Sequence, residues 1–187
     1  MTLSKLLQGH QVRLDALSKN DLPTLVAWYR DTEFLRFWDS RPASPKNETE
    51  LSKILEESAN DKNIFAFAVR PVNSGELLGY IEIDDIDWPH DAAGIGIGFG
   101  DPAHWGRGYG YEASQLALAF AFHELNLHRL TATVFSYNAR SVALFEKLGF
   151  TREGVFRERL QRDGQRFDMY LYGLLRHEWH RNDRTDG

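Results

Sequence analysis

The chain has 187 residues, 42% of them hydrophobic and 13% aromatic, with a formal net charge of −5 and no cysteine. This length suits one well-buried domain, the acidic balance argues against a nucleic-acid partner, and the missing cysteines exclude disulfides, zinc–thiolate sites and a cysteine nucleophile. No run approaches the roughly 18 apolar residues of a membrane span, and the segment from Met1 to Gly9 is too weakly apolar for a secretory signal. A cytoplasmic protein without a membrane partner is expected.

Polar and apolar residues alternate over 10–17, which predicts a strand. Ser18-Lys19-Asn20-Asp21 has the form of a helix cap, and Leu22, Leu25, Val26, Trp28 and Tyr29 follow at helical spacing. Ser44 and Pro45 have the form of the cap and first turn of a second helix reaching about residue 59, with Leu51, Ile54 and Leu55 as its apolar stripe. Strands are expected over 64–69 and 77–86, around a turn at Asn73-Ser74-Gly75. Between Arg70 and Arg107 there is no lysine or arginine, whereas Glu76, Glu82, Asp84, Asp85, Asp87, Asp91 and Asp101 all fall there. A field of that sign attracts a cationic substrate, although solvated acidic loops share the composition.

Residues 92–99 form a further predicted strand, in which Gly94, Gly96 and Gly98 leave room for a ligand beside the backbone. The strand leads into Trp105-Gly106-Arg107-Gly108-Tyr109-Gly110, and a long helix is expected over 108–125 with Ala113, Leu116, Ala117, Phe120 and Ala121 on one face. Glycine admits positive φ and close approach of a ligand, and a helix start presents unpaired N–H groups at the positive end of the helix dipole. The turn therefore suits a phosphate or pyrophosphate, or is simply a tight connection. Its glycines lack the Rossmann spacing, and no Gly-Lys-Ser/Thr of a P-loop exists. A strand is expected over 128–135, then a helix over 138–148 capped by Asn138 and stopped by Gly149, with Ser141 on the face of Asn138. Two final strands, 150–160 and 166–174, flank the turn Arg162-Asp163-Gly164. A polar tail over 177–187 is expected to fray, leaving an ordered core at 10–176 of a single domain spanning 1–187.

The glycine turn with its helix, the next strand, and the segment Asn138-Ala139-Arg140-Ser141-Val142-Ala143-Leu144-Phe145-Glu146-Lys147-Leu148-Gly149-Phe150 together resemble the GNAT N-acetyltransferase superfamily. The flanking Trp-Gly-x-Gly-Tyr-x-x-Glu-Ala (residues 105–113) and Gly-Phe-x-x-Glu-Gly-x-x-Arg (residues 149–157) are similar to its ribosomal-protein N-terminal acetyltransferase-like branch. The resemblance implies an α/β (α+β) fold with a mixed, mostly antiparallel sheet of about six or seven strands, splayed between the fourth and fifth and flanked by about four helices. It also implies transfer of an acetyl group from acetyl-CoA to a primary amine, a protein or peptide N-terminus first and a small amine second, by direct attack in a ternary complex without a metal. Trp105, Gly106, Arg107, Gly108, Tyr109 and Gly110 would hold the CoA pyrophosphate. Ile97, Gly98 and Phe99 would meet the pantetheine arm and the thioester carbonyl, with Asn138, Ser141 and Phe145 beside them. A homodimer is a further partner state that the resemblance suggests.

Two departures bear on catalysis. Many relatives carry a tyrosine acid where this chain has Phe145, which has no proton to give, so Ser141 becomes the candidate to hydrogen-bond the departing thiolate. The branch often carries a glutamate early in the glycine strand, where this chain has Ala93-Gly94. The candidate bases are then Glu82, Asp84, Asp85 and His90. Alternation places Glu82 and Asp84 on one face and Asp85 on the other, and a base must reach the amine directly or through one water; Glu82 is preferred. An α-amine is easier to neutralise at pH 7 than a lysine, by roughly 3.5 kcal/mol, which favours a protein N-terminus. The alternative reading is a CoA-binding sensor without catalysis. Trp28, Trp38, Trp88 and Trp105 could line an acceptor pocket or pack in the core, and Arg157, Arg159, Arg162 and Arg166 form a basic hairpin that is either solvated or within reach of the adenosine phosphate.

Overall fold

In the computed structural model, which describes residues 6–179, the alternating N-terminal stretch is strand β1 (Val12–Ala16), with Val12 and Leu14 buried. The expected cap follows: Asp21 accepts from the Ser18 backbone N–H at 2.8 Å and from its hydroxyl at 3.1 Å. Arg70 donates to both Asp21 oxygens at 2.9 and 2.8 Å, so the cap is also fastened to the sheet. Helix α1 (Leu22–Arg30) then ends at Asp31, which starts helix α2 (Thr32–Trp38) by accepting from the Glu33 N–H at 2.8 Å. Helix α2 was not among the elements expected.

Helix α3 (Glu48–Asn60) begins after Asn47 rather than at Ser44. Asn47 and Glu50 form a reciprocal capping box, each side chain accepting from the other's N–H at 3.0 and 2.9 Å. Two satisfied donors outweigh a serine followed by proline. The remaining elements are β2 (Phe65–Pro71), β3 (Gly79–Asp87), β4 (Ala92–Gly98), α4 (Tyr109–Ala119) running into a π-turn (Phe120–Glu124), β5 (Arg129–Phe135), α5 (Ala139–Lys147), β6 (Thr151–Arg162) and β7 (Gln165–Leu175). Order continues past residue 176: Trp179 is buried, with ring centroids 5.4 Å from Phe122 and 5.3 Å from His123. The frayed tail expected from His177 therefore does not describe residues 177–179, and 180–187 lie outside the described residues.

All seven strands form one sheet in the order β1-β2-β3-β4-β5-β7-β6, antiparallel except for β4 and β5. The mixed sheet and its splay match expectation, with five α-helices among the described residues where about four were expected. Pairing of β4 with β5 stops at Gly94 and Thr131, although the strands run on to Gly98 and Phe135. The sheet thus opens into a wedge at their C-terminal ends.

One sheet face carries Ile81, Ile83, Leu130 and Val134 into the main core with α4. The other packs Ala68 and Tyr80 with Leu25, Phe34 and Leu51 of α1–α3 in a second core cluster. On this second face the register aligns Ala66, Glu82 and Gly96 in one row, and Ala68, Tyr80 and Gly98 in the next. Large side chains project only from β3, with almost nothing beside them.

Candidate active site

The wedge between β4 and β5 continues into a cleft of about 880 Å³ that reaches the glycine turn, α5 and the end of α2. Gly106 and Gly108 have φ of +72° and +86°, a backbone region costly for residues with a Cβ. Gly108 is the N-cap of α4 and no side chain caps this helix. The first intrahelical bond runs from Glu112 N to Gly108 O at 3.0 Å. The N–H groups of Tyr109, Gly110 and Tyr111 therefore precede the helix ladder, in a cradle suited to a pyrophosphate. A Cβ at Gly110 would lie 3.6 Å from Phe99 and 3.9 Å from Leu144, ordinary contacts that show how closely α4 approaches Phe99 and α5 here.

Other residues of the same motif brace the turn. Trp105 Nε1 donates to the Phe99 carbonyl at 3.1 Å, joining the turn to the end of β4. Glu112 accepts from the N–H groups of Gln11 at 2.9 Å and Val12 at 3.1 Å, anchoring α4 to the start of β1. The Arg140 guanidinium lies 3.5 Å from the centroid of the Trp105 ring and 5.4 Å from that of Phe37.

On α5, Asn138 caps the helix through Oδ1, which accepts from the Ser141 N–H at 3.1 Å. Its amide nitrogen is the group left to face a ligand. Ser141 is half-buried and lines the cleft. Phe145 also lines it but is a core residue, 4% exposed, with its ring 5.1 Å from Phe150 and 6.3 Å from Tyr172. The structure brings Ile97, Gly98, Phe99, Trp105, Gly106, Gly108, Tyr109, Gly110, Asn138, Ser141, Phe145 and Glu82 to this one cleft. Arg107 is exposed and is not among the lining residues.

The opposite wall is acidic. Glu82 faces Gly96 across the β3–β4 ladder, its Oε1 3.5 Å from where a Gly96 Cβ would stand. Burial, then the like charges of Asp84, Asp85 and Asp39, push the Glu82 carboxyl up to about 7. Burial and Asp85 raise Asp84 as well. Asp85 also lines the cleft, contrary to the alternation argument, because φ of +48° places it in a bulge of β3. His90, in a 3-10 turn (Trp88–His90), is exposed and away from the lining.

The glycines of β4 line the cleft and also make room for the chain's own side chains. A Cβ at Gly98 would stand 2.8 Å from Trp38, and one at Gly94 would overlap the Asp84 carboxylate. On this face Gly98 and Gly94 therefore admit Trp38 and Asp84 beside the strand. The Asp84 carboxylate thus occupies the space from which a glutamate at 94 would project. Trp38 and Trp105 line the cleft, whereas Trp28 is buried against Gly100 and Trp88 is 43% exposed, donating to Asn63 at 3.0 Å. The basic hairpin lies by α2: Arg162 donates to the Asp39 carbonyl at 2.9 Å, and Arg36 pairs with Asp163 at 2.5 Å.

A parallel strand pair that parts over a glycine-turn anion cradle defines an acyl-CoA N-acyltransferase architecture. Residues 11–151 match the model of the acetyltransferase (GNAT) domain, and the chain belongs to that family. It is an acetyl-CoA-dependent N-acetyltransferase. The chain is 26% identical to the spermidine N(1)-acetyltransferase of Escherichia coli (strain K12), over 96% of this chain and 94% of that one. It is similar to the crystal structure of spermidine N-acetyltransferase from Vibrio cholerae in complex with CoA and spermine, with a TM-score of 0.82 and 26% identity over 90% of this chain and 97% of that chain. A dodecameric structure of the Vibrio cholerae enzyme aligns with a TM-score of 0.73 and 26% identity over 89% of this chain and 94% of that one. These comparisons carry the family, and do not single out the ribosomal-protein branch.

Proposed function

We propose that the acceptor is a small primary amine entering from the acidic side of β4, with Glu82 as general base and Ser141 as partner of the departing thiolate. The observation that carries this reading is the placement of Glu82: a half-buried carboxyl at the cleft wall, with its pKa near the working pH as a base requires. Bound acetyl-CoA supplies an activated acetyl thioester. The N–H groups of Tyr109, Gly110 and Tyr111 hold its pyrophosphate, and the unpaired edges of β4 and β5 receive the pantetheine arm. Glu82 accepts a proton from the ammonium, directly or through one water, which frees the nitrogen lone pair for attack. As the tetrahedral adduct collapses the C–S bond breaks, the second N–H proton passes through water to the thiolate, and Ser141 Oγ donates a hydrogen bond to the sulfur as it leaves. No covalent acetyl-enzyme is needed, since the two bound reactants meet directly.

A small amine is favoured over a peptide N-terminus because the hairpin tip is tied to α2 by Arg162–Asp39 and Arg36–Asp163 beside the acceptor wall. Two of the similar proteins are spermidine N-acetyltransferases by name, and spermidine is a small amine. Acetyl-CoA consumption over small amines and N-terminal peptides tests the reading; turnover confined to peptides would overturn it. Use of acetyl-CoA fits a cytoplasmic setting. Self-association is also proposed, through the sheet edge at β6, where Val155 and Phe156 are 46% and 45% exposed.

A further inference from the structure

Beneath α3 lies a second cavity of about 690 Å³, within the size range of small-molecule sites. Trp38, Asp39, Arg41 and Glu82 line both it and the cleft. Glu82 is therefore the partition between the two, flanked in its row by Ala66 on one side and Gly96 on the other. The interior is apolar, with Leu25, Leu35 and Leu51 almost fully buried. Its internal polar feature is the pair of phenols Tyr29 and Tyr80, whose hydroxyls bond to each other at 2.9 Å. Ile54, 42% exposed, marks the outer rim together with Glu57 and Asp61.

Charge is ordered along this cavity. Carboxylates of Glu82 and Asp39 stand at the inner end, next to the cleft, but Asp39 is paired with Arg41 at 2.8 Å, which leaves Glu82 as the carboxylate there to meet a ligand cation. The Lys46 ammonium stands 5.6 Å from the centroid of the Tyr29 ring, so a cation of this chain already occupies that aromatic face. A ligand with one ammonium and an apolar body matches the sequence of groups from the partition outward. A polyamine fits less well: its second ammonium would lie among leucines without a counter-charge, or would have to span the cavity to the rim carboxylates of Glu57 and Asp61, past Lys46.

We propose that this cavity is the subsite for the body of the acceptor, and that the enzyme acetylates a monoamine on an aliphatic or aromatic scaffold rather than a polyamine. The proposal rests on the reading that Glu82 faces the attacking amine. The ammonium sits at Glu82 and the scaffold extends under α3, with Ala66 as its floor.

Calorimetric titration of the CoA-loaded protein with n-alkylamines from propylamine to octylamine, phenethylamine and spermidine tests this. Affinity should rise about fourfold per added methylene until the cavity is filled, the equivalent of ~0.8 kcal/mol per group. Ala66→Leu should flatten that slope, and Leu51→Ala should extend it to longer chains. Lys46→Glu should tighten spermidine binding by about tenfold, as a removed like charge would. Spermidine binding tighter than octylamine in the unsubstituted protein overturns the proposal, as does a slope unaltered in both cavity variants. A CoA-induced rise in Tm shows that each variant is folded. Acetyl-CoA turnover is read separately: a chain-length slope with no turnover on any amine refutes the catalytic reading alone, and turnover without a slope refutes the subsite alone.

Discussion

Arg140, the second residue of α5, stacks its guanidinium on the indole of Trp105, the first residue of the glycine turn, at 3.5 Å from the ring centroid. This contact joins the two motif segments across the mouth of the cleft. Both partners are within reach of a bound CoA, because Trp105 and Arg140 line the same space. Exposed cation–π pairs contribute about 0.5–1 kcal/mol, so Arg140→Ala should raise the KM for acetyl-CoA by about two- to fivefold. kcat should change little, as steady-state kinetics at saturating amine will show.

Gly108 offers a sharper test of the donor side. A Cβ there would meet only Gln11, at an ordinary 3.5 Å, so the obstacle to substitution is its φ of +86°. Gly108→Ala should cost about 1–2 kcal/mol from left-handed backbone strain. Gly108→Glu adds a negative charge at the helix N-terminus, where the pyrophosphate is expected, and should abolish the CoA-induced rise in Tm. A normal rise in that variant would move the pyrophosphate elsewhere.

Glu82 makes both activity and stability depend on pH. The group's ordinary pKa is 4.5 and in the fold it rises to about 7, so folding favours the protonated form. Its contribution to stability is complete below pH 4.5 and declines as pH rises to about 7, where the folded carboxyl ionises in its turn. As the base, however, it must be ionised, so kcat/KM should rise with pH around a midpoint near 7. Glu82→Gln should remove that limb and lower kcat by about 100-fold or more. It should also stabilise the protein at pH 8, by at most ~3 kcal/mol before screening by cleft water. A pH profile unchanged in Glu82→Gln would assign the base to another group, Asp84 first.

Ser141 is expected to act late, on the leaving sulfur. Ser141→Ala keeps the Asn138 cap, because the bond to Asn138 uses the backbone N–H of residue 141. One lost hydrogen bond of about 0.5–1.5 kcal/mol should lower kcat by roughly two- to tenfold, with the KM for acetyl-CoA nearly constant. An unchanged kcat would show that the hydroxyl takes no part.

The exposed edge at β6 predicts assembly. Phe156→Asp places a charge on an unpaired, apolar part of the edge. Sedimentation equilibrium should then show a smaller species than the unsubstituted protein forms, with the CoA-induced Tm rise retained.

The glycine turn and the α5 cap were legible in the sequence because their determinants are local: positive φ at Gly106 and Gly108 and the Asn138 side chain act within a few residues of where they are encoded. The opposite wall of the cleft was not. Trp38 and Asp39 reach the cleft through α2, a short helix whose only sequence signal was Asp31 two residues before Glu33. The helical pattern was read only as far as Tyr29, short of the apolar residues of α2. The start of α3 was misplaced at Ser44-Pro45 because the Asn47–Glu50 box three residues later went unread. Arg140 was given no role of its own, because its partner lies 35 positions away in sequence. The bulge at Asp85 broke an alternation argument that no neighbouring residue contradicts.

The bare rows beside β3 have an evolutionary consequence. In the proposed arrangement backbone N–H groups and glycine dihedrals hold the donor, whereas side chains of α1–α3 and the β2–β3 face shape the opposite chamber. On that reading, exchanges at positions such as 51 or 66 retune acceptor choice while cofactor handling stays intact, so paralogues could diverge in substrate without first rebuilding the scaffold.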